Sequence, residues 1–186
     1  MELREFLLAE HDETVARLRG QVLEVVPAGS RTARLPGGNA IRWTTYHVAR
    51  HASLALAVVG AREPGPDARL AHFDPAAVAG GAGLQEVEQD WASGLDLAAV
   101  EQYADAVLAD VRAYLARLEA ADLDEEVDVT GRLRSAGVDP GEFGWLYRMW
   151  SAPVGFLVRW PMLGHVTNHV GEMIATRNQM GYSPFR

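Results

Sequence analysis

The chain has 186 residues, 48% hydrophobic and 23% charged, which suits a single domain spanning 1–186 with a full-sized core. Its net charge is −8 and it contains no Lys, so a nucleic-acid partner is not expected. It also contains no Cys, which excludes disulfides, thiolate ligands and a cysteine nucleophile of its own, and no apolar run long enough to span a membrane.

A first helix is predicted over about 2–26, with Leu3, Leu7, Val15, Leu18, Val22 and Val25 on one stripe and His11 among them. Pro27, Gly29, Pro36, Gly37 and Gly38 then mark a loop. A second helix is expected from about 39 to 61, capped by Asn39 and stopped by Pro64-Gly65-Pro66. Its inward face reads Thr44, His47, His51, Leu54 and Val58. The stretch to about 93 is loop-rich, with Gly80-Gly81, a surface histidine at His72 and one short helix expected around 84–91.

A third helix, 97–121, has the clearest stripe: Leu97, Val100, Ala104, Val107/Leu108, Val111, Tyr114/Leu115 and Leu118, with Asp96 as its cap. The acidic run at 122–128 reads as a connection, and 127–134 as a small hairpin. A short helix is expected at 142–150, its Trp145, Tyr147 and Trp150 reading as core. A last helix follows, interrupted at Pro153 and Pro161 and closed by Gly181. Its inward stripe is Met162, His165, His169, Met173, Thr176 and Met180. Four long helices and no convincing sheet give an all-α class, packaged as a four-helix bundle with long loops.

Four of the six histidines form two i, i+4 pairs, His47/His51 and His165/His169. Such a pair shares one helix face and can put two imidazoles on one ion. Two histidines buried on a methionine-lined face need partners, and a metal supplies them. His51, on the inward stripe of the second helix, is the candidate third ligand. His47 can ligate in its place, or stand by as an acid/base group. Glu172 follows His169 by three and reads as a fourth ligand, as the acceptor of an imidazole N–H, or as a merely solvated acid. Arg50 and Arg177 are candidates for binding a carboxylate on a cofactor or substrate.

Two segments carry a family resemblance. Trp43-Thr44-Thr45-Tyr46-His47-Val48-Ala49-Arg50-His51 resembles the Trp, seven residues, then His of the DinB/YfiT-like superfamily. His165, three residues, His169, one residue, then Gly171-Glu172-Met173 resembles its last-helix motif. The resemblance implies metal ligands at His51, His165 and His169, a divalent ion such as zinc or nickel, and a homodimer. It also implies chemistry with a low-molecular-weight thiol: S-transfer dependent on mycothiol or bacillithiol, or mycothiol-dependent maleylpyruvate isomerisation.

The reading is therefore a cytoplasmic metal-dependent thiol transferase or isomerase acting on a small molecule. A metal-dependent hydrolase and a non-catalytic metal-binding bundle are the alternatives. If the site handles thiols, the absence of Cys means that it activates a thiol brought from outside.

Overall fold

The computed structural model describes residues 2–63, 67–73 and 81–185, with the backbone alone at 71 and 72. The expected stop at Pro64-Gly65-Pro66, Gly80 and the His72 side chain lie outside the described part. No strand occurs among the described residues, and none of their helices is long and apolar enough to cross a membrane.

Helix α1, Leu3–Leu18, starts in a capping box between Glu2 and Glu5 and runs on into a wide π turn, Arg19–Leu23. A single helical turn, α2, Ala28–Arg31, follows Pro27. Helix α3, Ile41–Val58, is buried along its whole length. Helix α4, Leu97–Leu115, is capped as expected: Ala99 N donates to the Asp96 carboxylate at 2.8 Å. It stops short of 121, and a 3-10 turn, Ala120–Asp124, takes over.

The expected hairpin is instead helix α5, Val129–Ser135. The Asp128 side chain accepts from Gly131 N at 2.8 Å, and Val129 and Leu133, four apart, bury one face. Helices α6, Gly144–Trp150, and α7, Val154–Leu157, lead into a second π turn, Val158–Gly164, which holds Pro161. Helix α8, His165–Gln179, follows and is closed by Gly181 at φ 91°.

The helix expected around 84–91 is irregular backbone that gives way to a 3-10 turn, Asp90–Gly94. Asn39 does not cap α3. Ala40 holds that position with no side-chain bond, and Asn39 reaches elsewhere.

Helix α3 packs against α4 and α8, and α1 packs against the same two. The main core gathers Trp43, Tyr46, Leu54, Val107, Leu115 and Trp150 around α3 and α4. A second cluster, with Leu18, Val22, Val48, Val166 and Met173, seals the α1–α8 side. A helix buried all round is normally apolar. Here α3 carries Arg42, Thr44, Thr45, His47, Arg50, His51 and Ser53 into the interior, and each must find a partner there.

Candidate metal centre

Much of that demand is met by one segment of chain, residues 81–89, lying along α3. Three successive carbonyls accept from three α3 side chains. Arg50 Nε donates to Ala82 O at 3.1 Å, His47 Nδ1 to Gly83 O at 2.8 Å and His51 Nε2 to Leu84 O at 3.2 Å. A carbonyl only accepts, so these contacts fix where each imidazole carries its proton. The approach is close enough to require glycine. Gly83 has φ 81°, and a Cβ there would fall 2.5 Å from a Tyr46 ring carbon.

With Nδ1 protonated, His47 presents its Nε2 lone pair to α8. There the Nε2 of His165 lies 3.2 Å away, and the Nε2 of His169 lies 3.2 Å from that same atom. His169 is oriented in the same manner: its Nδ1 donates to the Glu172 carboxylate at 2.7 Å. The hydrogen bond from His169 holds the Glu172 carboxyl below its ordinary range. Glu172 thus accepts from the His169 imidazole, one of the three readings that the sequence left open.

The proton count at this junction does not close. His47 and His169 both aim a lone pair at His165 Nε2, and one proton on that atom serves only one of them. Buried His165 Nδ1 has no hydrogen-bond partner among the described residues. Extra protons are disfavoured. Burial, then the neighbouring histidine charge, pushes His47 down to about 4 and His165 to about 2. The same causes push His51 well down. A cation other than a proton resolves the conflict. Two nitrogens ~2.0–2.1 Å from one zinc ion in a tetrahedral shell stand about 3.3–3.4 Å apart, close to the spacing seen here.

Glu86 faces the same point. Its carboxylate oxygens lie 4.0, 4.0 and 3.6 Å from the Nε2 atoms of His47, His165 and His169. The four candidate ligand atoms all fall within 4.8 Å of one another. The histidines are buried and the Glu86 side chain is 65% exposed, so the cluster is closed by protein on one side and open on the Glu86 side. These four residues could hold a divalent metal ion.

The structure thus brings His47, His165 and His169 together. His51 lies alongside, its ring centre 4.4 Å from that of His165 and 4.6 Å from that of His47, with Nε2 turned to Leu84 O. Arg50 is buried against the 81–89 segment. Arg177 is buried and donates to Gln21 O at 2.7 Å. His11 is buried apart from this group, between Leu108 O and Asp12. Glu86 carried no sequence signal beyond being an acid in a glycine-containing loop.

The family model of the DinB superfamily matches residues 10–173, a span that includes α3, Glu86 and both α8 histidines. No curated protein and no solved structure gives a significant match to the chain.

Proposed function

The chain belongs to the DinB superfamily, and on that footing we propose that it is a divalent-metal enzyme of the thiol S-transferase or isomerase kind. The metal is held by His47, His165 and His169, with Glu86 completing the set. The observation that carries this reading is the meeting of three Nε2 atoms with too few protons among them. Zinc and nickel are among the ions that suit imidazole donors. His51 is the family-matched residue on α3; its Nε2 is turned to Leu84 O, and it reaches the same ion through that nitrogen only by giving up this bond. The four long helices, α1, α3, α4 and α8, are read as a four-helix bundle forming one domain, 1–186.

A divalent ion held by these residues would supply Lewis acidity, the chemistry that favours the thiolate form of a coordinated thiol at neutral pH. The chain's own residues do the rest. Gly83 O and Glu172 hold His47 and His169 in the tautomer that exposes Nε2. The surrounding apolar side chains keep water from the histidine side. The open Glu86 side admits a cosubstrate. With no Cys in the chain, the sulfur nucleophile is a low-molecular-weight thiol such as mycothiol or bacillithiol, and the second substrate is a small electrophile. A homodimer is the assembly that the resemblance implies, and a cytoplasmic location goes with this reading.

The test is metal analysis of protein purified without chelator, followed by zinc and nickel titration. About one ion per chain, lost in His165→Ala, is the expected result. Thiol consumption with a generic electrophile then checks the activity. Metal-dependent hydrolysis without added thiol would assign a hydrolase instead. Binding without turnover would leave a metal-binding bundle.

A further inference from the structure

Glu86 and Glu88 lie two residues apart on the 81–89 segment and do different work. The Glu88 carboxylate accepts from Ala40 N at 2.8 Å, tying the segment to the start of α3. It is also 3.9 Å from Arg42. The Glu86 carboxylate points to the histidines, although its side chain is 65% exposed. An exposed glutamate has many rotamers and little packing of its own to choose among them. What fixes its backbone is Asn39. Asn39 Nδ2 donates to Glu86 O at 2.8 Å, and Asn39 Oδ1 accepts from Glu88 N at 2.8 Å. One side-chain amide therefore grips the chain at Glu86 and again two residues on.

We infer that Asn39 is a positioning residue for the metal: it sets the Glu86 carboxylate against His47, His165 and His169 by clamping the backbone at Glu86 and Glu88. The inference rests on the metal reading above. It gives Glu86 the role of an oxygen ligand on the open side of three imidazoles. It also gives a physical reason for an asparagine just ahead of a helix that it does not cap. Both halves of the amide are used, one donating and one accepting, which neither Asp nor a shorter hydroxyl side chain reproduces.

The experiment measures zinc affinity of the full chain by competition with a chromophoric chelator, and records cobalt(II) spectra. It uses wild type, Asn39→Ala, Glu86→Gln and the double variant. Asn39→Ala is expected to weaken zinc on the order of tenfold, as outer residues that orient ligands commonly do. Its cobalt spectrum should shift in the direction seen for Glu86→Gln. In the Glu86→Gln background the Asn39 substitution should change affinity by less than about twofold, because the group that it positions is gone. Equal losses in both backgrounds, or no loss with Glu86 intact, would overturn the inference while leaving the metal site standing. A wild type that binds no zinc would overturn both. Should Asn39→Ala not fold, Asn39→Ser, which cannot span both backbone groups, takes its place in the cycle.

Discussion

The Nδ1 of His47 donates to the carbonyl oxygen of Gly83 at 2.8 Å, and this bond joins the candidate metal centre to the loop that covers it. It depends on a residue without a Cβ. In Gly83→Ala the new methyl group would meet Tyr46 at 2.5 Å and Arg50 Cγ at 3.1 Å, at a left-handed φ. The substitution should cost about 1–3 kcal/mol in denaturant unfolding. It should also weaken zinc binding, since the clash displaces the backbone carbonyl of residue 83 that fixes the His47 tautomer.

His47 and His51 can be separated by measuring zinc affinity in each alanine variant. With His47 as the ligand, His47→Ala should lose more than about a hundredfold, and His51→Ala should lose less than about a hundredfold, the upper end for groups outside the coordination shell. The reverse order would make His51 the ligand from α3 and give His47 the supporting part.

Arg177 should prove structural. Its guanidinium is buried and donates to Gln21 O in the π turn after α1, and to the Asn178 side chain. Arg177→Leu should lower unfolding stability by about 1.5–3 kcal/mol, the range for a hydrogen bond from a charged group. Zinc affinity should be unchanged. A loss of thiol or substrate binding without a loss of stability would restore it as a ligand-binding residue.

Asp67 gives the protein an acid-sensitive element away from the histidines. Its carboxylate accepts from Ser53 Oγ at 2.6 Å and from Arg69 Nε and Nη2 at 2.9 Å each. Burial alone would raise its pKa, but the Arg69 and Ser53 bonds outweigh it and hold the group at about 2, below the ordinary 3.8. Between those values the unfolded chain takes up a proton that the folded chain refuses. The contribution is therefore whole above 3.8 and is lost as pH falls toward 2. It amounts to about 2–3 kcal/mol. Unfolding curves of wild type and Asp67→Asn should differ most near neutral pH and converge over this acid range.

The helices were legible because their apolar stripes are long: α4 keeps its period from Val100 to Leu115, and Asp96 caps it as read. The histidine pairs were legible because i, i+4 spacing is local. What the sequence hid depends on distant partners. Asn39 has the chemistry of a helix cap, yet the backbone of Glu86 and Glu88 outcompetes the α3 amides for it. The 127–134 stretch alternates like a strand, but the Asp128 cap and the buried Val129–Leu133 pair favour a helix. Glu86 lies far from every histidine in sequence, and only the loop's path along α3 delivers it. Which of His47 and His51 turns its Nε2 toward His165 depends on which imidazole meets Gly83 O and which meets Leu84 O, carbonyls more than thirty residues away.

The π turn Val158–Gly164 sits just ahead of His165 and is made compulsory by its own residues. Pro161 brings no N–H to a regular ladder, and a Cβ on Gly164 would press on Arg159 O at 2.9 Å. A residue added to or taken from an α-helix rotates everything beyond it by about 100°. Winding the same residues as a regular α-helix, with none added or removed, would leave the sequence from His165 to Glu172 untouched. It would nonetheless swing both imidazoles about a quarter of a revolution away from His47. Metal competence is thus a property of angular phase as much as of motif, and two chains with identical histidine spacing can differ in it through a single upstream residue.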